Sequence, residues 1–321
     1  MFDHSCTRRK WLLALAAGAL ATVTAAQTAY AQGTWTTLAS LPAPTEGMTV
    51  AGVGNINIAT FGSSGGDTNL TRLYNTATDS WSSGTTAGSA AARSEAAYGE
   101  TTHGGFLYVI GGVSSGTAVP DVQRYDPVTD TWTALASMPT ARAGAAAAAL
   151  DNSIFVIGGR LSADPCSGGP YVSTVERYDI DTDTWTTVAH LPSARSDLAA
   201  VAHGGKIYVF GGCAGAVTDE VDMYDPQTNT WTTGLTPMPT PRASLAAGHS
   251  GQSVYLIGGW NGATLDVNEV YNISGNSWST NAPMPTARLK AGTHSHGGRI
   301  YVVGGATAFG VPSGASEMFK P

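Results

Sequence analysis

Charge is what this chain has least of: only 12% of its 321 residues are Asp, Glu, Lys or Arg. That is too little for the interhelical ion pairs of a coiled coil, while 40 glycines and 42% hydrophobic residues do not match a disordered polymer. No basic run occurs after position 10, and 16 basic residues are outnumbered by 23 acidic ones for a net charge of −7. Phosphate neutralisation on that balance is weak, so nucleic acid is excluded as a partner. Long apolar stretches are also missing beyond the first 31 residues, so nothing after them can cross a membrane as a helix. Enzyme motifs are scarce: the chain has no Walker loop, no His-Glu-x-x-His and no Cys-x-x-Cys, and nothing in it calls for a metal or cofactor.

The first 31 residues differ in kind from the rest. Arg8, Arg9 and Lys10 precede the uncharged stretch from Trp11 to Ala26 and the small-residue triplet Ala29-Tyr30-Ala31. Such an order predicts a secretory signal peptide over 1–31, cleaved before Gln32, with an uncleaved anchor as the alternative. The segment Thr7-Arg8-Arg9-Lys10-Trp11-Leu12 also resembles a twin-arginine export signal. Cleavage would remove three basic residues and one acidic, leaving 290 residues at net −9 that are not membrane-embedded and lie in the periplasm or outside the cell.

What is abundant is repetition. An apolar run ending in Gly-Gly recurs at Gly111, Gly158, Gly211, Gly258 and Gly304, with a weaker copy in Thr60-Phe61-Gly62-Ser63, at a period close to 48 residues. Each copy then carries a Tyr followed seven residues later by Trp: Tyr74/Trp81, Tyr125/Trp132, Tyr178/Trp185, Tyr224/Trp231 and Tyr271/Trp278. A Met/Leu-Pro-x-x-Arg string ends at Arg142, Arg195, Arg242 and Arg288. The pattern over residues 35–321 resembles the Kelch repeat. Departures are Gly62-Ser63 for Gly-Gly, Thr45 for Arg, and Arg93 without its Pro.

Four short strands per copy, with continuously apolar runs such as Ile207-Tyr208-Val209-Phe210, require sheets covered on both faces. Six such sheets in a closed ring satisfy that need, so residues 32–321 are expected to form an all-β, six-bladed Kelch β-propeller. The last copy stops after its third strand, and the unmatched Trp35-Thr36-Thr37 is expected to supply the fourth, closing the ring. The tryptophans are read as packing between blades.

Candidate site residues follow from the repeat. Arg93, Arg142, Arg195, Arg242 and Arg288 are expected to begin the innermost strands, either as salt partners of the scaffold or as a ring at the channel mouth that takes an acidic ligand. Two residues on, and expected on the same strand face, lie Glu95, Gly144, Asp197, Ser244 and Lys290. Loops after the doublets carry Tyr171, Trp260 and Phe309, which either cap their blades or contact a carbohydrate or protein ligand. Cys166 and Cys213 occupy equivalent loops of adjacent blades, as a disulfide or as two thiols. His103, His203 and His296 fall in hairpin turns, and His294 with His296 makes an incomplete metal pair.

The resemblance implies three functions. The first is an exported, non-catalytic propeller that binds a carbohydrate or protein. The second is a periplasmic sugar isomerase similar to the Kelch-type sialic-acid mutarotases, with Glu95 and Asp197 as acid/base candidates. The third, similar to galactose oxidase, needs a copper shell of tyrosines, histidines and a cysteine that does not map onto this chain.

Overall fold

Residues 33–86, 92–99, 101–162 and 169–321 are described by a computed structural model. The expected signal peptide and Cys166 lie outside them. The described residues form six four-stranded antiparallel sheets and two small hairpins, with no helix. Blade three is representative: Ala146–Leu150, Ser153–Ile157, Val175–Asp179 and Thr184–Val188 pair in that order from the axis outwards. Blade six is built from both ends of the described chain. Its strands Gly292–His296, Arg299–Val303 and Ser316–Lys320 are completed by Thr34–Thr37, with Trp35 opposite Phe319. Ring closure through the unmatched Trp35 segment is therefore as the sequence implies.

The core lies between blades, because every sheet is apolar on both faces. Phe155, Ile157 and Val175 of blade three pack on Ile207, Val209 and Tyr224 of blade four, and the other interfaces repeat the arrangement. The repeated tyrosines are fully buried, whereas the tryptophans are only half-buried. Each tryptophan does more than fill space: its indole N–H donates to a carbonyl of the linker arriving from the preceding blade, at 2.8–3.0 Å in all six copies. The tyrosine hydroxyl donates to an Asp or Asn five residues on, as in Tyr178 to Asp183 at 2.7 Å. The same carboxylate accepts the N–H of Ala136, again from the preceding linker. The Tyr…Trp spacing is thus a clamp between neighbouring blades.

A second belt encircles the axis. The N–H of Glu95 donates to the carbonyl of Gly47, Gly144 to Glu95, Asp197 to Gly144, Ser244 to Asp197, Lys290 to Ser244 and Gly47 to Lys290, closing a ring of hydrogen bonds at 2.6–3.2 Å. All six residues are left-handed, with φ between 52° and 60°. They sit in a turn ahead of the inner strand, so the expected placement of Glu95, Asp197 and their counterparts on the strand itself is corrected. The left-handed conformation costs about 1 kcal/mol at each non-glycine position, which the closed belt offsets.

The doublet glycines end the second strand against the next blade's arginine carbonyl, which a Cβ at Gly111, Gly158, Gly211 or Gly258 would meet at 2.4–2.7 Å. In blade one the doublet is Phe61-Gly62 rather than Gly62-Ser63: Ser63 bridges Glu46 as Val113 bridges Ser94, and Phe61 takes the left-handed φ of 59°. Met138 packs at the corresponding place in Gly111, and blade two has no such methionine. The Phe61 ring fills that space and lies under the Arg93 guanidinium, 4.6 Å from its centroid.

Candidate functional site

The five repeated arginines are all fully buried, and none opens onto the axis. Each folds back beneath its own blade. Arg142 meets Glu176 at 2.8 Å, Arg195 meets Asp222 at 2.6 Å, Arg242 meets Glu269 at 2.5 Å and Arg288 meets Glu317 at 2.6 Å. The acid in each case comes from the blade's third strand, and second-strand carbonyls such as Val156 O and Leu256 O accept from the same guanidinium groups. Arg93 is the exception, donating to the carbonyls of Asp121 and Val109, with Gln123 at the acid's place. Burial pulls Arg93 and Arg142 down to about 10. Of the two readings, the salt partner of the scaffold is the one found, and the ring at the channel mouth for an acidic ligand is corrected: these charges are spent inside the blades.

A different charged group occupies the loop-side mouth. Arg160 follows the doublet of blade three and reaches over the axis, donating to Asp197 at 2.7 Å and to Glu95. Lys290 donates to the other oxygen of Glu95. Gly144 makes this crossing possible, since a Cβ there would stand 2.1 Å from the Arg160 guanidinium. Burial holds Lys290 below its ordinary range, and burial raises the Glu46 carboxyl despite nearby Lys290. Tyr98 joins them because two additional residues lengthen the chain between Arg93 and its doublet. Tyr98 and Gly99 leave blade two, and Tyr98 pairs in parallel with the inner strand of blade three. Desolvation raises the Tyr98 phenol well above its usual value. Glu46, Glu95 and Asp197 against Arg160 and Lys290 leave one net negative charge with all acids ionised, which disfavours an anion at this mouth.

Around this network stand the loop residues. Trp260 and Phe309 meet edge-on, centroids 5.4 Å apart, and Lys290 Nζ lies 5.7 Å from the Phe309 centroid. Tyr171 is half-buried and bridges Arg160 along the backbone, so it supports the network rather than standing free. Trp260, Cys213 and Arg160 hold equivalent places after their doublets. Cys213 is buried and disulfide-bonded, while Cys166 is outside the described residues. Two Gly-x-Ser-x-Gly strings, 62–66 and 112–116, lie in loops after second strands with no helix behind them, so neither is a nucleophile elbow.

At the opposite mouth, His103, His203 and His296 precede two-glycine hairpin turns, as expected. His294 and His296 do share a strand face, with stacked rings 6.1 Å apart. Among the described residues no group of three or more His, Cys, Asp or Glu is arranged to hold a metal ion, and no helix is long and apolar enough to cross a membrane. Burial, followed by the charges of His296 and His249, lowers His294 to about 4. The unfolded chain then takes up a proton near pH 6.5 that the folded chain refuses until about pH 4. Stability is accordingly expected to fall by on the order of 2–3 kcal/mol between those values. Urea titrations of the parent and His294→Leu at pH 7 and pH 4.5 check this: the parent should lose more than the variant, and equal losses would contradict it.

A ring of six four-stranded blades, clamped by Tyr…Trp spacing and arginine–acid pairs, defines a Kelch-type propeller. The family model described as the KLHDC2/KLHL20/DRC7 Kelch-repeats domain matches residues 20–159 and again 136–305, and the chain belongs to that Kelch-repeat family. Curated relatives include Kelch-like protein 25 of Rattus norvegicus, 38% identical over 110 residues covering 33% of this chain and 19% of the relative. Kelch-like protein 23 of Homo sapiens is 28% identical over 140 residues, covering 44% of this chain and 24% of the relative. The chain thus spans about a fifth of the length of the curated relatives it matches. The solved structure of YjhT shares the fold with a TM-score of 0.75 at 19% identity, over 87% of this chain and 95% of that one.

Proposed function

We propose that the protein is an exported, non-catalytic binding propeller that takes a protein ligand on the loop face of the ring. One observation carries this reading. Of the five exposed large hydrophobics among the described residues, four lie in loops after second strands, on the face that holds the axial network: Leu70, Leu161, Phe309 and Val311. Exposed apolar side chains contributed by blades one, three and six to one face give a protein ligand several anchors around a polar centre. Export is supported by the Arg8-Arg9-Lys10 leader and by the bonded state of Cys213, since disulfides persist in oxidising compartments. The acid/base reading of Glu95 and Asp197 has less support, because both carboxylates are already held by Arg160 and Lys290.

A carbohydrate is the second reading, favoured by the edge-on Trp260–Phe309 pair over hydrogen-bonding groups. The net negative mouth then favours a neutral sugar over a sugar acid.

The test is retention of cell-envelope proteins on immobilised parent, on Leu161→Ser/Phe309→Ser/Val311→Ser and on Val128→Ser, alongside a glycan array. The triple variant should keep its melting temperature within a few degrees and lose roughly 10- to 100-fold in affinity for a ligand that Val128→Ser retains. Equal retention by all three would overturn the assignment of the face. Binding of neutral glycans lost on Trp260→Ala would select the sugar reading.

A further inference from the structure

Blade one breaks the arginine–acid rule with its charge reversed. In blades three, five and six the acid of the third strand accepts from the arginine and from a threonine two residues before it: Thr140 to Glu176, Thr240 to Glu269 and Thr286 to Glu317, at 2.6–2.8 Å. Blade one has Ala43 at the threonine's place, Thr45 at the arginine's and Arg72 at the acid's. Two small residues thus stand where four other blades fit a threonine or serine and a guanidinium group. The space they release is a pocket of about 420 Å³.

Its walls are the counterparts of the groups that surround each arginine elsewhere. Ala59 corresponds to Val156, whose carbonyl accepts from Arg142; Leu41, Met48, Phe61 and Leu70 supply an apolar wall, and the loop over residues 64–68 a polar rim. Arg72 is the one basic side chain in the lining. Among the described residues it makes no ion pair, and its Nε–H has no hydrogen-bond partner. Burial lowers its pKa, as it does for a cation with no anion opposite. Asp67 also lines the pocket, but its two oxygens accept from Ser94 Oγ at 2.8 Å and the Ser115 N–H at 3.0 Å.

We propose that this pocket of blade one binds a carboxylate carrying a compact apolar group, the carboxylate pairing with the Arg72 guanidinium as a third-strand acid pairs with its arginine in the other blades. The guanidinium fork matches two carboxylate oxygens, and the volume accommodates about one ring or short aliphatic chain behind them. Such a carboxylate is carried by a small free acid or by the C-terminal residue of a peptide. This site borders the loop face, with which it shares Leu70 and the loop over residues 64–68, but carboxylate recognition at Arg72 does not depend on a protein ligand there.

Calorimetric titration of the full chain with phenylacetate, phenylacetamide, and a tetrapeptide ending in phenylalanine as free acid or as amide tests the proposal. Saturable binding of phenylacetate or the free-acid peptide is expected, and which of the two binds more tightly identifies the source. The matching amide and the Arg72→Gln variant should each be weaker by about 10- to 100-fold. Thr45→Arg/Arg72→Glu restores the arrangement of the other blades, so it should fill the pocket, abolish binding and raise the melting temperature. Absence of saturable binding by either acid up to about 10 mM overturns the proposal. So does equal binding of acid and amide to the parent, a comparison that holds even if a variant fails to fold.

Discussion

Replacing Arg242 by alanine is expected to destabilise the fold by about 3–5 kcal/mol, a large share of what holds a domain together. The guanidinium is fully buried and donates to Glu269, to the carbonyl of Leu256 and to that of Thr240. Alanine leaves the Glu269 carboxylate buried with only Thr240 Oγ as side-chain donor and removes the guanidinium donor to the Leu256 carbonyl. The loss comes from an uncompensated charge rather than from the net worth of the pair, so removing both partners should be far milder. Urea titration of Arg242→Ala and of Arg242→Met/Glu269→Leu checks the argument. The single variant should lose most of its midpoint concentration and the double variant much less. A single variant within about 1 kcal/mol of the parent would return the arginine to the solvent-facing role that its sequence position permits.

The other large effect belongs to ring closure. Deleting residues 33–37 removes the outer strand of blade six, the Trp35–Phe319 contact at 5.0 Å and the Trp35 indole bond to Ala282. Loss of one large aromatic from such an interface costs about 3–5 kcal/mol before the strand's own hydrogen bonds are counted. The edge of Ser316–Lys320 is also uncovered, presenting unpaired backbone to other molecules. Thermal unfolding followed with light scattering should show a melting temperature lower by roughly 10 °C and concentration-dependent association. Trp35→Ala should reproduce part of the shift without exposing the edge. A deletion variant that melts within a few degrees of the parent and stays monomeric would mean that the ring is held closed elsewhere, for instance by the axial belt.

The fold was legible because a repeat states its own alignment. Trp35 stood out as an indole with no preceding copy, and the final copy ended at a third strand, so closure followed from matching the two. The doublet of blade one was misread for want of a ruler that the chain contains: Arg142, Arg195, Arg242 and Arg288 each stand 16 residues before the first glycine, and Thr45 stands 16 before Phe61. The same measure gives 18 for Arg93, and those two additional residues bring Tyr98 to the inner strand of blade three. Arg160 was harder to find. It occupies the place held by Ser63, Val113, Cys213, Trp260 and Ala306 in the other blades, and so varied a position resembles ordinary loop. Only the geometry shows its side chain lying over Gly144 and reaching two carboxylates of other blades. For the arginines the sequence left two readings open, scaffold salt partner or axial ring, since periodicity places a residue near an axis but does not say which way a long side chain turns; the salt pairs with the third-strand acids decide for the scaffold.

The assignment of the loop face is tested most directly by photo-crosslinking in cells that produce the full chain, with a photoreactive amino acid placed in turn at Leu161, Phe309 and Val128. All three side chains are exposed, but Val128 lies in the outer turn between the third and fourth strands of blade two. Protein adducts at Leu161 and Phe309 that are absent at Val128 are predicted. Adducts of equal yield at all three, or none at Leu161 and Phe309, would contradict a protein ligand on this face.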